Sequence, residues 1–358
     1  MRASLASAST VPADAPSICL LRLSALGDAT HVVPLVRSIQ RHRPGASITW
    51  IAGKTEAAML RGLEGVELLV FDKASGWRGI AALRHSLAGR RFDVLLQMQL
   101  ALRANLLSTL VRAERRIGYD VARSKEGHGF VIRERIPAGG HHVLDAFARF
   151  GEAIGIPQGR VEWRLPVPDE AHDWAIAQLP GETPTLLVSP CSSHPLRNWA
   201  PERYAAIAAR ALQRGWRVAL CGGPSPLERA TADAILAALP SHTGVIDLVG
   251  KDTFKRFLAL CARGTVLLGP DSGPVHMANA MGTRVIALHA CTDRERSGPY
   301  SDRRWSPNRY DEAARRFLGT PAEALPWGKR IEFPGVMDLV TVDEVIERFD
   351  DCAADLGR

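Results

Sequence analysis

Short apolar runs rich in β-branched residues recur along the chain, and stretches with helical spacing separate them. The first run, Ile18-Cys19-Leu20-Leu21-Arg22-Leu23, reads as a strand buried on both faces. Apolar positions at Val33, Val36 and Ile39 then keep the period of a helix, Pro44-Gly45 ends it, and residues 47–52 return to the strand pattern. Residues 66–71, 94–96 and 114–118 continue the series as short strands between helical stretches. A second cycle opens at Leu186-Leu187-Val188-Ser189, with a helix over 201–214, a strand over 217–221, a helix over 225–239, a strand over 245–248 and a helix over 253–262. Strand-like Val266-Leu267-Leu268, one short helix and the run 284–288 close it. Such alternation predicts doubly wound parallel sheets, built twice.

The spacing also divides the chain. Pro166, Pro168, Pro180 and Pro184 mark a linker, giving a first domain over 18–168 and a second over 169–335. Residues 1–17, rich in Ala and Ser, read as a flexible N-terminal extension. After residue 290 the pattern loosens into chain rich in Arg, Pro, Gly and Trp, with one short helix over 311–317. Thr341 with Glu344 makes a capping-box start to a final helix within 336–358, free to pack back on the first domain.

Composition narrows the class. A chain of 358 residues exceeds one ordinary core, and 46% hydrophobic with 23% charged residues suits a soluble enzyme. No apolar run is long enough to span a bilayer, and the N-terminal stretch holds Asp14 and no apolar core, against a secretory signal. Cys19, Cys191, Cys221, Cys261, Cys291 and Cys352 are widely spaced and lie in or beside apolar runs, the usage of a reduced cytoplasmic protein. A net charge of +7 admits nucleic acid, an anionic membrane surface or an anionic substrate as partner.

Motif absences narrow it further. No Gly-x-Gly-x-x-Gly follows the first strand, neither Gly53-Lys54-Thr55 nor Gly250-Lys251 completes a phosphate-binding loop, and no Asp-x-Asp is present to carry a metal-bound diphosphate. Protein groups must then meet any pyrophosphate, and two segments suit that task. In Pro270-Asp271-Ser272-Gly273, Asp271 or Ser272 fits a helix cap, Pro274 the first turn and Gly282 the left-handed stop, so backbone N–H groups point outward at a helix N-terminus. His276 falls on the first turn of that helix. Ser192-Ser193 with Arg197 forms the other segment, and Lys251 and Glu228 are weaker donor-side candidates. Asp28 occupies the equivalent loop of the first domain, where it serves either as an acid overlooking a cleft or as a plain helix cap.

Three of these segments, in colinear order, resemble glycosyltransferase family 9, the lipopolysaccharide heptosyltransferases: Ser24-Ala25-Leu26-Gly27-Asp28 with His31, Arg197-Asn198-Trp199, and Gly269-Pro270-Asp271-Ser272-Gly273-Pro274-Val275-His276. The resemblance implies a GT-B fold, two Rossmann-like domains facing a central cleft, with the acceptor on the first and a nucleotide-sugar, ADP-L-glycero-D-manno-heptose, on the second. It implies inverting heptosyl transfer to the lipopolysaccharide inner core, with Asp28 as general base and Ser192, Ser193, Arg197, Asp271, Ser272, Gly273 and His276 around the donor. No metal or other cofactor is expected. Arg197 stands where the family usually has Lys, and Ser272 where it often has Thr.

The basic residues of the first domain, among them Arg103, Arg115, Arg116 and Arg133, would suit an anionic glycolipid acceptor and a passing contact with the inner face of the cytoplasmic membrane. Two other readings stand beside this one: a transferase for a different nucleotide-sugar or acceptor, and a protein that binds nucleotide-sugar without turnover. A nucleic-acid partner is not expected, because no helix-turn-helix, zinc or aromatic-stacking signature accompanies the charge.

Overall fold

A computed structural model of the protein describes residues 15–358 and forms two compact units, the first running through Gly140 with Leu144–Trp163, the second His141–Val143 with Arg164–Arg358. The extension expected over 1–17 falls mostly outside the described residues, and Ser17 already belongs to the first strand.

In the first unit the elements are β1 (Ser17–Leu21), α1 (Leu26–His42), β2 (Ser47–Gly53), α2 (Lys54–Leu60), β3 (Val66–Phe71), α3 (Gly76–Ser86), β4 (Phe92–Gln97), α4 (Leu102–Ser108), β5 (Ala113–Gly118), α5 (His128–Val131), β6 (Glu134–Arg135) and α6 (Val143–Glu152). The sheet order is β3-β2-β1-β4-β5-β6, and every pairing is parallel. Ile18 to Leu21 of β1 are all fully buried, as a central strand covered by helices on both sides requires.

The second unit contains α7 (Asp169–Gln178), β7 (Thr185–Val188), α8 (Pro201–Gln213), β8 (Arg217–Leu220), α9 (Pro226–Ala238), β9 (Val245–Asp247), α10 (Phe254–Arg263), β10 (Val266–Pro270), α11 (Gly273–Ala280), β11 (Arg284–Leu288), α12 (Arg294–Ser297), α13 (Tyr310–Leu318) and α14 (Val342–Asp355). Its parallel sheet runs β11-β10-β7-β8-β9. The proline-rich span after Arg164 is tied into this unit, with Lys255 Nζ donating to Pro166 O at 2.7 Å and Arg263 Nε to Leu179 O at 2.5 Å.

The final helix starts as its capping residues predict, with Thr341 Oγ1 accepting from Glu344 N at 3.3 Å. Its Val345, Phe349, Cys352 and Ala353 enter the core of the second unit beside Trp216 and Ile207. All six cysteines are buried and free. Among the described residues no helix is long and apolar enough to cross a membrane.

Candidate active site

Ligands of open parallel sheets collect beyond the carboxyl ends of the strands, at the point where strand order reverses. In the first sheet that point is β1, flanked by β2 and β4, and the loop after it leads to Asp28. In the second it is β7, flanked by β8 and β10, whose following loops carry Ser192, Arg197 and Asp271. The topology therefore puts Ser192, Ser193, Arg197, Asp271, Ser272, Gly273 and His276 on two neighbouring loops of one unit and the start of α11, and Asp28 at the switch point of the other.

Asp28 is the third residue of α1, in its first turn, after the cap position at Ala25. Its Oδ2 pairs with Arg22 Nη2 and takes a long 3.5 Å bond from Ala25 N. Arg22, at the end of β1, is held in turn by Met98 O at 2.6 Å and by the face of Phe147, 5.5 Å from its guanidinium. The carboxylate is thus clamped through one oxygen. Its Oδ1 has no hydrogen-bond partner among the described residues, and the side chain is 29% exposed. Glu56 of α2 is a second acid within electrostatic range of Asp28 and Arg22, and burial pushes its carboxyl above the ordinary value.

On the second unit, β10 delivers Pro270, then Asp271, then Ser272 as the cap residue of α11. Gly269 lets this loop approach the end of β7, since a Cβ there would lie 2.5 Å from Ser189 O. Ser272 Oγ turns back to Pro270 O, and the N–H groups of Ser272 and Gly273 find no acceptor among the described residues. Pro274 occupies the first turn, and Gly282 follows the helix with a φ of +84°. The result is an anion cradle of backbone donors at a helix N-terminus.

Asp271 supports that cradle from beneath. Its carboxylate is buried, accepts from Ser297 Oγ at 2.9 Å and lies 3.4 Å from His276 Nε2. Burial alone would raise its carboxyl, but the hydrogen bond from His276, the nearby His289 ring and the Thr292 hydroxyl together hold it well below the carboxylate range. His276 is itself buried, so it faces Asp271 rather than the open side of the turn. His289 is wholly buried, its Nδ1 is 3.1 Å from Thr292 Oγ1, and burial depresses its basicity.

Arg197 sits on a short turn after β7, its side chain only 12% exposed. Its Nε lies 3.2 Å from Glu332 Oε1, and its Nη2 reaches Ser193 Oγ at 3.5 Å. Ser192 is spent on the turn itself, its Oγ donating to His194 O and its N–H to Asn198 Oδ1. Trp199, next along, is an anchor of the core, with Nε1 bonded to Val340 O. Cys291, after β11, has its Sγ 3.3 Å from Leu196 O, and its thiol, pushed up to about 12 by burial, feels the charges of Glu332, Arg197 and Asp271.

Other expected residues have structural duties. Arg116 is largely enclosed and donates to Val131 O, Val111 O and Ser108 O, while Arg115 clasps Glu134 and Ala153 O. Their donors are spent within the fold, whereas Arg103 and Arg133 are exposed. Glu228 holds Gly223 N and Ser225 Oγ, and Lys251 caps Asp247 O. The Arg-rich segment after residue 290 is likewise pinned: Arg294 and Arg303 to Glu295, Arg296 over Trp327, Arg304 to Asp355 and Arg309 to Glu344.

Sequence reasoning missed Arg22, Glu56, Ser297, Thr292, His289 and Glu332. Arg22 carried a signal, a lone charge at the end of a buried strand, next to the loop that matters. Ser297, Thr292 and Glu332 lie in irregular chain, where no periodicity points inward.

Two parallel-sheet α/β units in one chain make up the GT-B architecture. The family model of glycosyltransferase family 9 (heptosyltransferase) matches residues 80–315, and the chain belongs to that family. It is 36% identical to the lipopolysaccharide core heptosyltransferase OpsX of Haemophilus influenzae, over 92% of this chain and 95% of that protein. Among solved structures it is similar to the family 9 glycosyl transferase of Veillonella parvula, with a TM-score of 0.78, 17% identity and coverage of 97% of this chain and 99% of that one. It is also similar to ADP-heptose lps heptosyltransferase II of Escherichia coli, with a TM-score of 0.70, 17% identity and coverage of 96% and 100%. The chain is a heptosyltransferase.

Proposed function

We propose that the enzyme moves a heptosyl unit from ADP-L-glycero-D-manno-heptose to a sugar hydroxyl of an anionic lipopolysaccharide inner-core acceptor, with inversion, at the cytoplasmic face of the membrane. The observation that carries the mechanism is the clamped carboxylate of Asp28, one oxygen held by Arg22 and the other without a protein partner among the described residues. Asp28 Oδ1 takes the proton of the acceptor hydroxyl as its oxygen attacks the anomeric carbon. The bond from that carbon to the diphosphate oxygen breaks on the opposite side, and the electron pair leaves with ADP. Negative charge then develops on the pyrophosphate, where the Ser272 and Gly273 N–H groups, the N-terminus of α11 and the guanidinium of Arg197 are suited to receive it. These groups support a transfer that proceeds without a divalent metal.

In this reading Asp271 and His276 do not touch the donor; they fix the turn whose backbone does. Ser193 lies at the mouth of the donor loop beside Arg197. The exposed Arg103 and Arg133 remain as contacts for acceptor phosphates or carboxylates. Calorimetric titration with ADP tests the division of labour: Arg197→Ala is expected to weaken binding by about tenfold or more, as loss of a charge-assisted hydrogen bond does, and Asp28→Asn to leave it unchanged. Equal losses in both variants would contradict it.

A further inference from the structure

The first unit carries a cationic and apolar face that the transfer chemistry does not use. From Lys73 through Arg91 the sequence contains no acidic residue. Within this stretch α3 buries only Gly79 and Leu83, while Trp77 is 74% and Ile80 44% exposed. The Arg78 guanidinium lies 5.8 Å from the Trp77 ring centroid. Arg90 and Arg91, beyond the helix, pair with Glu67 and Glu114, but among the described residues no carboxylate pairs with Lys73, Arg78 or Arg84.

The neighbouring helix extends the face. Leu83 and Leu87 share one core with Ala104 and Leu107 of α4, so α3 and α4 cover the same side of the sheet. Outward, α4 presents Leu102 and Leu106, both more than half exposed, with Arg103 beside them. Phe130 of α5 is 96% exposed, and its segment is tied to α4 by Asn105 Nδ2, which donates to Glu126 O at 2.9 Å. Helices that follow parallel strands begin at the carboxyl edge of the sheet, so Trp77, Ile80 and Leu102 stand at the edge where Asp28 also lies.

We propose that this face docks on an anionic lipid bilayer, with Trp77, Ile80, Leu102 and Phe130 entering the headgroup layer and Arg78 and Arg84 meeting lipid phosphates. Interleaved Trp and Arg on a surface helix suit a membrane interface, where the aromatic ring sits at headgroup level and each cation gains from the surface potential. The inference rests on the reading that the acceptor is a membrane glycolipid: docking at this edge would let the lipid stay in its leaflet while its sugars reach Asp28.

The test is co-sedimentation of the full chain with vesicles of phosphatidylethanolamine and phosphatidylglycerol, with phosphatidylcholine vesicles as control. Transfer to a deacylated, water-soluble acceptor is measured in parallel. Wild type is expected to pellet with the anionic vesicles only, and Trp77→Ser/Ile80→Ser and Arg78→Ala/Arg84→Ala each to lose about fivefold or more of that binding. All are expected to keep transfer to the soluble acceptor. Equal vesicle binding by wild type and variants, or none by wild type at low salt, would overturn the docking surface. So would a wild-type dimer that the Trp77/Ile80 variant turns to monomer, because a second copy would then cover the face. Absent transfer to the soluble acceptor by wild type itself would overturn the functional reading instead.

Discussion

Asp28 and Asp271 are two carboxylates with opposite surroundings, one part exposed and one buried. Asp28 is part exposed with one oxygen open, so removing its charge should strike turnover and little else. Asp28→Asn is expected to lower turnover by about 100-fold or more with donor affinity nearly unchanged, measured by initial rates beside calorimetry. Near-normal rates would reduce it to a residue that steadies the start of α1. Asp271 is buried among Ser297, His276 and Thr292, so its loss should act through the fold. Ser297→Ala withdraws one donor from that buried charge and is expected to cost about 1–3 kcal/mol in urea denaturation, with a smaller loss of ADP affinity. An ADP affinity lost entirely with stability intact would make the Asp271 carboxylate a direct ligand.

Among the elements, the short α5 is held to α4 and β5 through His128. Its Nε2 accepts from Tyr119 N at 3.0 Å, and its Nδ1 faces Asn105 Oδ1 at 2.9 Å, a pair of bonds that only the neutral ring can make. Burial, reinforced by Arg135, lowers the His128 pKa from 6.5 to about 4. The unfolded chain therefore binds a proton that the folded chain refuses between these values. The stabilisation is complete above pH 6.5 and drains away as pH falls towards 4. Urea midpoints are expected to decline across that window, and less steeply in His128→Gln; an identical slope in the variant would place the acid sensitivity elsewhere. Elements of this kind set the limit of what the sequence discloses. The strands other than β6, and the cap, proline and glycine of α11, were legible because apolar runs and helix termini each impose a local residue pattern, whereas β6 is two charged residues, Glu134 and Arg135. α5 and α12 were not, since four residues carry no period. Nor were the partners of Arg116 or Arg197, because a guanidinium clasping carbonyls and one beside a carboxylate look alike until the chain is folded.

For the whole molecule, the reading requires the protein alone to neutralise the leaving diphosphate. In the proposed mechanism that work falls to Arg197, which pairs with Glu332, and to the backbone donors of α11. Transfer is accordingly expected to survive EDTA, and abolition with rescue by magnesium or manganese would show that a metal carries the charge. The most direct measurement is mass spectrometry of a truncated inner-core acceptor after incubation with ADP-L-glycero-D-manno-heptose and either wild type or Asp28→Asn. A family 9 heptosyltransferase working through Asp28 adds one heptosyl unit with the wild type and almost none with the variant. No heptosyl product from the wild type, or equal product from both, would contradict it.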